Sequence, residues 1–164
     1  MVGDFGVGKT SLIRRFVEGV FSDSYLSTVG VKITRNTVNL ADSKRGKVDV
    51  QLLIWDLEGH TKFKAIAPSY LQGSKGALIV ADVTRPETIE RLIEHVQLFL
   101  SVNPQGIIVI ALNKTDLADE EKVEKLLQMA RFEEIDRVVA TYPTSAKNGL
   151  NVTDIFEKIA SELV

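Results

Sequence analysis

Gly3, Gly6 and Gly8 fall within six residues and run straight into Lys9, Thr10 and Ser11 in the segment GDFGVGKTS, residues 3–11. A G-x-x-x-x-G-K-[ST] loop works only where a strand delivers the chain into it and a helix leaves it. Its successive backbone N–H groups then converge on an anion, and the N-terminus of the following helix adds its dipole. The segment therefore demands strand, loop and helix in one layer of an α/β domain, and implies a bound polyphosphate. Only Met1 and Val2 precede Gly3, too few for a central parallel strand, so the first strand reads as truncated, continuing upstream of this sequence.

The rest of the chain supplies the alternation that such a domain needs. Residues 9–18 carry Leu12, Ile13, Phe16 and Val17 on one helical face, and Gly19 ends the run. VKITRNTVNL (31–40) and VDVQLLIW (48–55) have a period near two and read as an antiparallel hairpin across the polar turn ADSKRGK. GALIVADV (76–83) and GIIVIALN (106–113) are continuous apolar runs, as expected of strands buried on both faces of a parallel sheet. Between them, residues 86–100 open with Pro and acidic residues and keep helical spacing, as a crossover helix should. RVVATYPT (137–144) is a further strand, and residues 119–132 and 151–164 are further helices. The expectation is a mostly parallel six-stranded sheet with one antiparallel edge strand and helices on both faces, in a single domain spanning 1–164.

With 45% hydrophobic and 26% charged residues, the 164-residue chain suits one compact domain with a substantial core. A formal net charge of −2 leaves no basic footprint for nucleic acid. The absence of cysteine excludes disulfides, thiolate metal sites and lipidation of a cysteine within this chain, and points to a reducing, cytoplasmic setting. No apolar run approaches the ~18 residues of a membrane span, and the N-terminus lacks a signal-peptide layout.

In α/β sheets ligands sit beyond the carboxyl ends of the strands, and three further motifs lie there. DLEGH (56–60) follows QLLIW: Asp56 is placed to hold magnesium through water, and the Gly59 N–H to approach a terminal phosphate. NKTD (113–116) follows a buried strand, and the Asp116 carboxylate can accept from N1–H and the 2-amino group of guanine, a pattern that adenine lacks. SAK (145–147) follows the last strand, where the Ala146 N–H can meet the guanine O6. Lys9 can bridge the outer phosphates, and the Thr10 hydroxyl can ligate magnesium. Each later motif alone is ordinary turn chemistry. Their order and strand-end placement argue together for a guanine nucleotide and against a P-loop kinase of small metabolites.

Over essentially its whole length the chain resembles the Ras-like small GTPases, nearest the Rab branch, in GDFGVGKTS, Thr28 of STVGV, WDLEGH, NKTD and TSAK. That resemblance implies a P-loop small G domain that binds GTP and GDP with magnesium. The expected nucleotide contacts are residues Gly3, Asp4, Phe5, Gly6, Val7, Gly8, Lys9, Thr10 and Ser11; Phe21, Tyr25, Thr28 and Gly59; Asn113, Lys114, Asp116 and Leu117; and Ser145, Ala146 and Lys147. Phe21 resembles the aromatic that packs on the base, Tyr25 the switch tyrosine, and Thr28 the residue that closes on magnesium and the γ-phosphate. Metal ligands are then Thr10, Thr28 and, through water, Asp56. Catalysis is assigned to Lys9, Thr28, Gly59 and His60.

Three positions depart from that family's pattern where hydrolysis is decided. His60 replaces the usual water-orienting Gln, although translational GTPases carry a histidine after the same glycine. Phe5 replaces Gly or Ser beside the γ-phosphate, where a ring obstructs an incoming arginine finger or swings to solvent or onto the second switch. Glu58 replaces Ala, and an outward direction is expected because a charge facing a polyphosphate is costly. Residues 21–31 also hold no arginine. Slow intrinsic hydrolysis follows, with a nucleotide-bound interaction module of little turnover as the alternative. The resemblance further implies effector, exchange-factor and GTPase-activating partners reached through residues 21–35 and 56–72, and a monomer. Ile33, Trp55 and Tyr70 form either an apolar docking patch or, for Trp55, sheet packing. Lys44, Arg45 and Lys47 form either a contact for an acidic surface or a solvated turn.

Overall fold

The computed structural model describes residues 1–25, 27–42, 46–61 and 64–164. In chain order the elements are β1 (Val2–Gly3), α1 (Lys9–Glu18), β2 (Val31–Asp42), β3 (Gly46–Leu57), β4 (Gly76–Asp82), α2 (Pro86–Glu90), α3 (Leu92–Val102), β5 (Ile107–Asn113), α4 (Glu120–Met129), β6 (Val138–Pro143) and α5 (Val152–Glu162). Short 3-10 turns lie at Pro68–Leu71 and Thr115–Leu117.

The apolar runs of β4 and β5 are buried on both faces, as expected, and their side chains alternate between two cores. Ile79, Ala81, Ile108, Ile110 and Leu112 join Leu92, Val96 and Phe99 of α3 on one side. Leu78, Val80, Val109 and Ala111 join Leu12 of α1 and Ile155 and Phe156 of α5 on the other. Phe16 of α1 stacks on Phe156 with ring centroids 4.1 Å apart, which locks α1 to α5 behind the glycine loop.

All six expected strands form, with β2 antiparallel to β3 at the edge. They divide into a parallel sheet ordered β1-β4-β5-β6 and the β2-β3 ribbon. Among the described residues, β3 is tied to this end of the chain through Met1, whose amine donates to the Trp55 carbonyl at 2.8 Å and whose carbonyl accepts from the Leu57 N–H at 3.5 Å.

Two local expectations change. The single crossover helix is broken at Arg91, which takes φ −81° and ψ −6°. Thr88 ties the first turn to the end of β4, donating to the Asp82 carbonyl and accepting from its N–H, while Arg91 reaches back to Asp4 in the glycine loop. The break reconciles the two anchorages. The hairpin turn is also shorter than ADSKRGK: Ala41 pairs with Lys47 and Asp42 with Gly46, so both ends of that segment belong to the ladder. Lys44 and Arg45 lie outside the described residues.

Candidate functional site

The glycine loop between β1 and α1 is shaped by contacts that only glycine permits. Gly8 has φ 101°, and a Cβ there would stand 2.3 Å from Asn113 Nδ2. A Cβ on Gly59 would stand 2.4 Å from the Phe5 Cα, so the end of β3 passes directly over the loop. Two bonds hold that crossing: Phe5 N–H donates to the His60 carbonyl at 2.9 Å, and His60 N–H to the Gly3 carbonyl at 3.0 Å.

The carboxyl ends of β3, β5 and β6 meet this loop around one cleft of about 850 Å³. That volume lies at the upper end of the range for small-molecule sites and has room for a base, a sugar and a phosphate chain. Every expected nucleotide contact lines it except Gly3, Asp4, Val7 and Ser145. Lys9 is buried and folds back, its ammonium donating to the carbonyls of Asp4 at 2.9 Å and Gly3 at 3.3 Å. Burial lowers its pKa to about 8, against the opposing pull of Asp56 and Asp4. A phosphate chain would supply the negative charge that this ammonium is short of.

The metal-ligand expectation gathers as one cluster. Thr10 Oγ1 lies 2.8 Å from Thr28 Oγ1 and donates to Asp56 Oδ2 at 2.6 Å; Thr28 Oγ1 reaches the same oxygen at 3.5 Å. Asp56 is 1% exposed, and its Oδ1 has no hydrogen-bond partner among the described residues. A buried anionic oxygen without a donor, beside two hydroxyls, fits a hard divalent cation such as magnesium, alone or through its water.

At the base end, Asn113 staples three segments together. Its Nδ2 donates to the Val7 carbonyl at 3.0 Å, and its Oδ1 accepts from Thr144 Oγ1 at 3.2 Å and from the Ala146 N–H at 3.3 Å. The Ala146 N–H, expected on the base, is thus turned to Asn113. Lys114, at φ 66°, donates to the Gly6 carbonyl at 2.8 Å and pairs with Asp82 at 2.8 Å. Ser145 donates to Asp116 Oδ1 at 2.8 Å, which orients an otherwise exposed carboxylate and explains why Ser145 acts from behind the cleft wall. Leu117 is 63% exposed beside it.

Among the departures, Glu58 points outward as expected. Its Oε2 accepts from Lys64 Nζ at 2.8 Å and from the Gly30 N–H at 3.0 Å, contacts that hold its carboxyl below the usual range. Phe5 goes not to the second switch, as expected, but to the first, packing edge-on against Tyr25 with ring centroids 5.3 Å apart. His60 differs from expectation: it does not line the cleft. Its ring packs edge-on against His95 of α3 at 5.6 Å, and burial, with Arg91 and His95, lowers its pKa against the opposing pull of Asp4 and Glu94. The Asp4 side chain also faces away from the cleft, accepting from Arg91 Nη1 at 2.7 Å and His95 Nε2 at 2.9 Å, so any share it has in binding is through its backbone.

The sequence reading did not single out Asp82, Arg85, Arg91 and His95. Arg85 Nη1 donates to the Phe5 carbonyl at 2.6 Å and braces the loop from outside. His95 had a visible signal, a polar residue three positions after Leu92 on the apolar stripe that continues through Val96 and Phe99. Asp82 had another, a carboxylate closing an apolar strand as Asp56 does. On the rim, Ile33 pairs directly with Trp55 across the ribbon; they are 49% and 39% exposed, and Tyr70 is 40% exposed, so Trp55 is not a core residue.

The whole chain, residues 1–164, matches the model of the Ras family. It is similar to Ras-related protein Rab5 of Nicotiana tabacum, 37% identical over 99% of this chain and 78% of that protein. It is similar to Ras-related protein Rab-22A of Mus musculus and of Homo sapiens, 35% identical in each case over 99% of this chain and 81% of theirs. Matched along its whole length and sharing more than a third of its residues with these relatives, the chain belongs to the Ras family, as a Rab-like small GTP-binding GTPase.

Proposed function

We propose that this protein is a switch that binds GTP with magnesium, hydrolyses it slowly to GDP and phosphate, and changes its surface as the γ-phosphate leaves. The observation that carries the reading is the Thr10, Thr28 and Asp56 cluster with its unpartnered carboxylate oxygen. Magnesium bound there would neutralise charge on the outer phosphates; Thr10 and Thr28 fit as direct ligands and Asp56 through water. Lys9 and the loop N–H groups stabilise the charge that spreads over the transferring phosphoryl group. Water attacks the γ-phosphorus in line, and the bond to the β-phosphate oxygen breaks with its electron pair leaving on GDP. Loss of the γ-phosphate frees Thr28 and Gly59, so a chemical step becomes a change in residues 21–35 and 56–72, where effector, exchange and activating proteins would bind. Residues 26, 62 and 63 of those segments lie outside the described residues. A monomeric, cytoplasmic protein offering Ile33, Trp55 and Tyr70 to partners completes the reading.

Three features support a low rate: the His60 ring rests on His95, the Phe5 and Tyr25 rings stand together at the cleft, and residues 21–31 contain no arginine. Arginine fingers are worth about 10³–10⁵ in rate. The turned His60 also favours a second reading, a nucleotide-bound interaction module that scarcely turns over. Single-turnover hydrolysis by the purified chain, with and without magnesium, separates them. Slow, magnesium-dependent release of phosphate supports the switch, and retained GTP with no phosphate released supports the module. Fast turnover ends the low-rate proposal, and preference for ATP ends both readings.

A further inference from the structure

The two histidines of the sequence meet each other, and the contact has a buried anchor. His95 lies on the apolar stripe of α3 and is 3% exposed. Its Nε2 is 2.9 Å from Asp4 Oδ1, while the other oxygen of Asp4, itself 2% exposed, takes Arg91. A carboxylate only accepts, so Nε2 carries the hydrogen and the His95 ring is fixed in direction. His60 is fixed differently. Its backbone N–H and carbonyl are both bonded to the glycine loop, which leaves its side-chain torsions to decide where the imidazole goes. They carry it to the edge of His95 and out of the residues that line the cleft.

We propose that His95, anchored by Asp4, is a positioning residue that holds the His60 ring on α3 and off the γ-phosphate end of the cleft. The inference rests on the reading of His60 as the residue that orients water. Hydrolysis then requires the imidazole to leave His95 first. An edge-to-face aromatic contact shifts a two-position equilibrium by roughly two- to tenfold, enough to slow turnover without abolishing it. The charged and titratable groups that act on the His60 ring are Arg91 at the helix break, Asp4 of the glycine loop, and His95 and Glu94 of α3. Burial and Arg91 lower the imidazole's pKa and so favour the neutral ring, the form that retains a lone pair for water once it swings.

The test is His95→Gln, which keeps a donor for Asp4 and removes the aromatic ring. With magnesium and GTP, the folded variant should hydrolyse roughly two- to tenfold faster in single turnover than the unaltered protein. Combined with His60→Ala it should show no acceleration over His60→Ala alone. A rate unchanged or lowered by His95→Gln overturns the proposal, and so does acceleration that persists without His60. A second readout is independent of turnover. Two histidines give two imidazole Cε1–H resonances, and His95→Gln should remove the ring-current shift of the His60 signal and move its titration toward the ordinary imidazole value. A His60 signal indifferent to His95→Gln refutes the contact. Fast hydrolysis by the unaltered protein would instead end the low-rate reading, while the histidine spectrum still decides the contact.

Discussion

Asn113→Ala is the substitution whose cost the structure lets one work out most fully. The side chain is 1% exposed, and it serves Val7 and Thr144, both 0% exposed, and Ala146, 4% exposed. Truncation leaves a carbonyl, a hydroxyl and an N–H without their partner, and a buried polar group left unsatisfied costs about 1–3 kcal/mol. The Thr144 and Ala146 bonds, at 3.2 and 3.3 Å, lie at the long end for hydrogen bonds and belong near the bottom of that range, whereas the 3.0 Å bond to Val7 is ordinary. Water entering the vacated space offsets part of the loss. The expected destabilisation is roughly 3 kcal/mol, which for a domain of this size lowers Tm by roughly 6–12 °C. Nucleotide binding adds its own stabilisation to the folded state, so the measurement is urea unfolding of the stripped protein, repeated at saturating GDP. The midpoint should fall with m unchanged in the stripped protein already, because the three bonds join protein groups to one another. A loss under about 1 kcal/mol there, or one that emerges only with GDP, would refute the view that Asn113 joins the glycine loop to the base loops.

Asp116→Ala removes an acceptor for two hydrogen bonds of the charge-assisted kind, worth about 1.5–3 kcal/mol each; the preference for GTP over ATP should fall by roughly 100-fold or more in competitive displacement, and an unchanged ratio would remove Asp116 from base selection. Lys9, lowered to about 8 from 10.5, disfavours its charged form in the folded state, so its penalty is fully present below pH 8 and is relieved as pH rises to 10.5. Lys9→Met should therefore flatten a rise in the stability of the stripped protein between pH 8 and 10 while abolishing GTP binding, and a rise equally steep in both proteins would contradict the assignment. Glu58→Ala removes the acceptor of the Gly30 N–H, so hydrogen exchange at Gly30 should speed up, and equal protection in both proteins would show that the carboxylate holds nothing in place. Trp55→Ala should leave stability nearly unchanged and weaken binding of GTP-state partners in pull-down with labelled protein, whereas intact binding would make Trp55 a packing residue.

What could be read from residue order alone is whatever the local backbone must do. Gly8 and Gly59 stand where a Cβ would collide with Asn113 and Phe5, and Ile107–Asn113 is buried along its full length. Such positions admit few residue types, and so they show in the sequence. The β2-β3 ribbon beyond Leu40 is different. Ala41 and Lys47 are exposed, no burial selects their side chains, and a polar strand end therefore looks like a turn. The break at Arg91 and the direction of His60 depend on partners remote in the chain: Arg91 reaches Asp4, and His60 meets a helix residue that period analysis assigns to the core. Two such residues still left a trace. A histidine within an apolar helical stripe and a carboxylate at the end of an apolar strand both violate the local rule for their position, and a violation is retained only where something distant repays it. For Asp82 the compensation is Lys114, which carries the base loop to the glycine loop; for His95 it is Asp4, inside the glycine loop itself. Both exceptions therefore lead to the backbone of the glycine loop, and the His60 ring rests on the second of them.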